Sequence, residues 1–233
     1  MRPSRPHRLA LAVLAALLAA PVSSAPPARM RFVHPDFVAR MAGVRIVGVV
    51  APALRYHEAT PLLSHVPRPD WAEAAGRAVV ETVAAALRAR GLVPKHFAPS
   101  APEARRELAE VQLLLEYVDA AIDEALYRGH FPAKLARFEY GLGDLHRLLA
   151  DTDRDALLLV RGEAAVLLGP DATGRGGARN AGGAGTYALA LVDRDGTILW
   201  YDSAIVSSRD LLDPDNVATF VLDLLSTLPR VGR

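Results

Sequence analysis

Between Asp155 and Val206 the chain carries three apolar runs that a sheet can absorb together. They read ALLLVRGEAAVLL from Ala156 to Leu168, TYALALV from Thr186 to Val192 and TILWYDSAIV from Thr197 to Val206. The second and third are joined by Asp193-Arg-Asp-Gly196, a tight turn with glycine where a left-handed backbone is wanted. The three runs predict an antiparallel meander, with a kink expected at Gly162. The first and second are joined by GPDATGRGGARNAGGAG, Gly169 to Gly185, which holds seven glycines and two arginines. A phosphate loop would carry a lysine and feed a helix N-terminus, whose N–H groups face the anion. This segment has no lysine and feeds a strand. It reads as a mobile connection, with Arg175 and Arg179 as candidate contacts for a partner.

The upstream half supplies the layers that cover such a sheet. Val44 to Val50, VRIVGVV, is a strand with apolar residues on both faces. Ala51 to Pro69 has four prolines and no clear period, so it reads as loop. A helix is expected from Asp70 to Arg90, capped by Asp70 with Glu73 in the capping-box position. Its stripe is Trp71, Ala75, Val79, Val83 and Leu87, and Gly91 ends it. Leu92 to Phe97 makes a short strand that Pro94 confines to an edge. A second capping box, Ser100 and Glu103, opens a long amphipathic helix. Leu108, Val111, Leu115, Val118, Ile122 and Leu126 form its apolar side, and Glu107, Glu110, Glu116, Asp119, Asp123 and Glu124 its solvated one. A third, weaker helix places Leu135, Phe138, Leu142, Leu145 and Leu149 on one face. The last helix is capped by Asp213, starts at Pro214 and buries Val217, Phe220, Val221, Leu224, Leu225 and Leu228. The fold class expected is α/β (α+β). It is one domain over 43–230 with a mixed sheet, an antiparallel C-terminal meander flanked by helices, and an added helical hairpin at 102–150. Residues 26–42 are expected to be an irregular arm.

The first 25 residues read as a secretory signal peptide. Arg2, Arg5 and Arg8 precede an apolar run from Leu9 to Ala20, and Ser23 and Ala25 supply the small residues of a cleavage site. Removing three of the 27 basic residues leaves 24 against 26 acidic ones, a mature charge of −2. That balance disfavours nucleic acid as a partner, because phosphate binding needs a basic surface. The chain has no cysteine, so neither disulfides nor a lipobox anchor are available. A periplasmic or secreted protein is expected.

No residue set forms a catalytic, metal or cofactor signature. Asp151-Thr-Asp153-Arg-Asp155 opens like a calcium loop, but Ala156 and Gly162 stand where glycine and glutamate are required. It reads as an aspartate-rich loop before a strand. His57 and His65 lie in one segment and could meet around zinc with a further ligand; solvated histidines are the simpler account. Ser203, Ser207 and Ser208 lie near Asp202 and Asp210, without a nucleophile-elbow motif. Trp200 and Tyr201 are adjacent on a strand and point to opposite faces. An exposed one would be a candidate partner contact, alongside Arg175 and Arg179, and burial of both under helices is the alternative.

The strand after Asp155, the Leu191-Val-Asp193 strand, the turn at Gly196, the phrase Thr197-Ile-Leu-Trp200 and the final helix together resemble a superfamily of bacterial envelope proteins. It includes the N-terminal domain of TolB, the curli secretion protein CsgG and activator lipoproteins of penicillin-binding proteins. The resemblance implies a non-enzymatic docking or scaffolding role with a protein partner in the cell envelope, with no cofactor, and homo-oligomers are compatible with it. Two alternatives stand beside it. One is an exported hydrolase whose site is not visible in sequence. The other is an oligomer-forming secretion subunit.

Overall fold

The computed structural model describes residues 29–59, 65–127, 138, 140–168, 180–207 and 210–230. Its elements are β1 (Arg29–Val33), α1 (Phe37–Met41), β2 (Ile46–Val50), β3 (Ala53–Ala59), β4 (His65–Pro67), α2 (Pro69–Arg88) and β5 (Val93–Phe97). They continue with α3 (Pro102–Tyr127), α4 (His146–Leu149), β6 (Ala156–Leu168), β7 (Asn180–Asp193), β8 (Ile198–Ser207) and α5 (Pro214–Leu225). One mixed sheet of eight strands runs β1-β8-β7-β6-β2-β5. The lower part of β6 pairs in parallel with β2 (Val47 opposite Ala156) and its upper part with β3 (Ala53 opposite Arg161). The α/β single domain with its antiparallel β6-β7-β8 meander is as the sequence predicts.

Each face of the sheet has its own core. On the first face Val47, Val49, Leu158, Val160, Leu189, Leu191 and Trp200 pack against the buried stripes of α2 and α5. On the second, Val50, Leu157, Leu159, Ala190, Val192 and Tyr201 pack against Val111, Leu115, Val118 and Ile122 of α3. A large apolar side chain taken fully out of water contributes about 1.5–3 kcal/mol, so these stripes, rather than helix propensity, hold the layers. At α5, the Asp213 carboxylate accepts from the Asp215 N–H at 3.0 Å, the cap expected there.

Several expectations are corrected. Residues 29–41 of the supposed arm form β1 and α1. β1 alternates, with Met30 and Phe32 partly buried and Arg29, Arg31 and Val33 exposed, as an edge strand on β8. The supposed loop 51–69 contains β3 and β4; among its described residues Tyr56 is the buried anchor, and its hydroxyl meets that of Tyr187 at 2.6 Å. Helix α2 starts at Pro69, the tolerated first position, and Asp70 is not its cap. Arg68 instead pairs with Asp70 (2.7 Å) and Glu58 (2.8 Å) and lies 3.9 Å from the centre of the Trp71 ring. Nor does Ser100 cap α3: its carbonyl accepts from Arg105, and the first helical bond runs from the Arg105 N–H to the Ala101 carbonyl. Gly162 is no kink. A Cβ there would lie 2.6 Å from the Tyr187 ring, so the missing side chain makes room for that ring.

The third helix is replaced, where described, by an irregular segment ending in the short α4. Gly143 has φ +79° and Phe138 φ +44°. Leu142 N–H donates to the Gly196 carbonyl (2.8 Å) and Leu145 N–H to that of Arg194 (2.9 Å), so pairing with the β7–β8 turn overrides the helical period. Phe138, Leu142, Leu145 and Leu149 are nonetheless buried, and Phe138 stacks on Phe32 at 4.5 Å. Leu135 lies outside the described residues.

β1 is fastened by charge. Arg29 donates to both oxygens of Asp202 (3.0 Å each) and to Asp223 (2.8 Å). Asp202 is fully buried, and it also accepts from the Thr227 hydroxyl, which receives the Trp200 indole N–H at 3.2 Å. Burial pushes the Asp202 carboxyl above its usual range, against the pull of Arg29 and Thr227. A carboxyl raised in the folded state contributes stability that is complete below the unfolded value and is lost as pH rises through the folded one. The stability of the chain relative to an Asp202→Asn variant is therefore expected to decline as pH rises from about 3.8. Urea titrations across that range would show it; a relative stability that grows with pH contradicts it.

Candidate interaction surface

Along β6 the burial pattern changes character. Ala156 to Val160 are buried on both faces, whereas from Gly162 onward every second residue faces solvent. Gly162, Ala164 and Val166 stay buried on the first face; Glu163 and Leu167 are exposed on the second, and Ala165 is partly so. The neighbours change at the same level. Ala188 is buried, but Thr186 and Ala184 of β7 are exposed; Tyr201 and Ser203 are buried, but Ile205 and Ser207 of β8 are exposed. Successive strand residues alternate between faces, so all these exposed positions share the second face. Among the described residues, the sheet is covered on both sides at one end and on one side at the other.

The boundary is drawn by α3. Glu116 pairs with Arg55 of β3, and Asp119 accepts from both Arg161 of β6 and the Tyr201 hydroxyl of β8. Asp119 is only 7% exposed, which corrects its place in the solvated row; the carboxylates on that side of the helix seat it on the sheet. Beyond this line lies a bare area holding Leu167 (41% exposed) and Ile205 (36%). Helix α3 itself carries Leu113, Leu114 and Tyr117 exposed on its outer side.

Arg175 and Arg179 lie outside the described residues. Trp200 and Tyr201 are both 0% exposed, in opposite cores, so neither offers a surface contact; β8 is an inner strand there, roofed by α5 on one side and α3 on the other. Of the glycine stretch, Asn180 onward already belongs to β7. Asp155 accepts from the Arg45 and Ile46 N–H groups (2.9 and 2.8 Å), and Asp153 pairs with Lys95, so these carboxylates serve β2 and β5 rather than a shared ion. The rings of His57 and His65 do approach, to 5.9 Å between centroids, without a third histidine or carboxylate among the described residues. Ser203 and Asp202 face opposite sides of β8, and no described histidine bonds to either.

Chemistry in parallel sheets usually sits at the carboxyl ends of strands, where the winding reverses. Here that place, between β2 and β6, is filled by β3 continuing along β6. A cavity of about 400 Å³ lies nearby, at the end of β5, lined by Phe97, Ser100, Arg147, Asp151 and Arg154 among others. A Cβ at Gly48 of β2 would lie 2.7 Å from the Leu157 side chain and 3.2 Å from the stem of Arg154, whose guanidinium donates to the His96 carbonyl at 2.9 Å. Of the cavity's charges, Arg147 pairs with Glu107 (3.2 Å) and Arg154 with Asp153 (3.1 Å), while the Arg154 Nε is buried without a hydrogen-bond partner among the described residues. The bare half-sheet was missed in the sequence, although the signal was present in Arg161-Gly-Glu-Ala-Ala-Val-Leu167. There polar or exposed positions begin to alternate with small and apolar ones.

No helix among the described residues is long and apolar enough to cross a membrane. No protein-family model matches the chain, and neither does any curated protein. Among solved structures, the chain is similar to the PelC dodecamer from Paraburkholderia phytofirmans at 16% identity and a TM-score of 0.41, covering 89% of this chain and 99% of that one. A variant of the same dodecamer matches at 15% identity and 0.42, over the same shares. The Evf virulence factor matches at 11% identity and 0.20, covering 80% of this chain and 81% of that one. These are distant likenesses of the chain path.

Proposed function

We propose that this chain is an exported, non-enzymatic interaction protein of the cell envelope, a component or accessory factor of an envelope assembly. The observation that carries this is the bare half of the second sheet face. A sheet face holding apolar residues is stable when another layer covers it, and α3 already covers the adjoining half. The exposed positions span three strands, β6 to β8, about 10 Å across, and some five residues along them, about 17 Å. That footprint suits one helix of roughly 10–12 Å diameter, and falls well short of the ~800 Å² per partner of a broad interface. Glu163 stands on it without an ion-pair partner among the described residues. The occupant is therefore an amphipathic helix of a protein partner, apolar on one stripe and flanked by lysine or arginine.

Photo-crosslinking in intact cells tests this, with a benzophenone side chain placed at Leu167 or Ile205 and, as control, at exposed Leu222 of α5. Adducts expected from the first two sites and not the third should map to one amphipathic helical segment of an envelope protein. Adducts equal at all three sites, or spread over abundant periplasmic proteins, would count against the proposal.

A further inference from the structure

We propose that His57 and His65 form a binding site for a late first-row divalent cation such as Cu²⁺ or Zn²⁺. The two residues lie on adjacent antiparallel strands, with His57 opposite Pro67 and Ala59 opposite His65. That register makes them diagonal neighbours, and their rings share one side of the ladder, 5.9 Å apart at a 44° tilt. Two nitrogens bound to one ion at about 2.0–2.1 Å each stand no more than about 4.2 Å apart. Rings at this separation reach that spacing by turning a nitrogen toward each other, without any movement of the backbone.

Neither ring is engaged elsewhere. No hydrogen bond or ion pair among the described residues involves the His57 or His65 imidazole. His34 and His146 differ: the first accepts the Asp36 N–H at 3.0 Å and the second meets Asp195 at 3.0 Å. Both members of the pair are reachable from solvent, His57 being half-buried and His65 exposed. Imidazole nitrogen suits copper and zinc, and the order of affinities puts Cu²⁺ ahead of Zn²⁺. With two protein ligands the remaining positions fall to water. Binding would tie the three-residue strand β4 more firmly to β3.

The test uses the mature chain without a purification tag, titrated with Cu²⁺ and with Zn²⁺ by calorimetry and followed for copper by electron paramagnetic resonance. One saturable site is expected, tighter for Cu²⁺, with nitrogen hyperfine splitting from two equivalent imidazoles. His57→Ala and His65→Ala should each weaken it at least tenfold, and His96→Ala should leave it unchanged. Both histidines are on the surface, so circular dichroism and melting of the metal-free variants should match the parent. Absence of a saturable site overturns the proposal. So does a site that survives either single substitution, which would mark an isolated surface histidine.

Discussion

Replacing Asp119 with alanine is expected to lower the stability of the chain by about 3 kcal/mol, the lower end of the cost of breaking a buried pair, because Arg161 keeps Glu116 at 3.9 Å. The Arg161 side chain is 16% exposed and that of Asp119 9%, so solvent screens this pair little. The substitution also strips the Tyr201 hydroxyl, fully buried, of its acceptor. Asp119→Asn keeps an oxygen for that hydroxyl and should cost less. A double change of Asp119→Leu with Arg161→Met should recover most of the loss, because an apolar pair of similar volume carries no desolvation penalty. Urea unfolding of the four proteins decides it. A loss under about 1 kcal/mol for Asp119→Ala would mean that the carboxylate behaves as a surface pair.

Gly196→Ala is expected to cost about 3 kcal/mol or more, from two effects that add. The residue has φ +76°, where a non-glycine side chain costs of order 1–3 kcal/mol. A Cβ there would also coincide with the Gly143 carbonyl, so the 140–145 segment must leave the turn. Leaving it breaks the Leu142 and Leu145 bonds to the turn and loosens Leu142 and Leu145, both buried. Gly43→Ala is the comparison, since nothing lies within 4 Å of its Cβ direction; it should be nearly neutral. Thermal unfolding would separate the two variants by several degrees. Equal midpoints would show that the 140–145 segment does not need the turn.

These two sites mark how far the sequence is readable. The Gly196 turn announces itself, because Asp193-Arg-Asp-Gly196 has local turn chemistry between two strong strands. What packs on it does not. Leu142, Leu145 and Leu149 recur at helical spacing, and only the backbone bonds from 142 and 145 to residues 194 and 196 reveal that they are buried from an irregular segment. Asp119 sits in a row of carboxylates that looks solvated, since a helical period cannot tell which carboxylate meets an arginine from a distant strand. β1 and β3 are missed for a related reason. Each has only two inward apolar residues, Met30 and Phe32 or Leu54 and Tyr56, so the partner strand rather than local pattern makes the strand. Long, strongly periodic elements fare better: α2, α3, α5, β6 and the edge strand β5 all fall close to where their sequences put them. The bare half-sheet shows in the sequence only as the change of pattern after Arg161, because the absence of a covering layer is a property of the whole fold.

The central claim, that this half-sheet is the docking face for a partner helix, is met most directly by placing a charge on it. Leu167→Arg and Ile205→Arg together should leave unfolding stability within about 0.5 kcal/mol of the parent for each position, as for surface sites without special contacts, while abolishing the crosslinked complex formed from a benzophenone at position 165. A loss of several kcal/mol in the isolated chain would show that its own residues cover the face. A complex that persists undiminished would place the partner elsewhere.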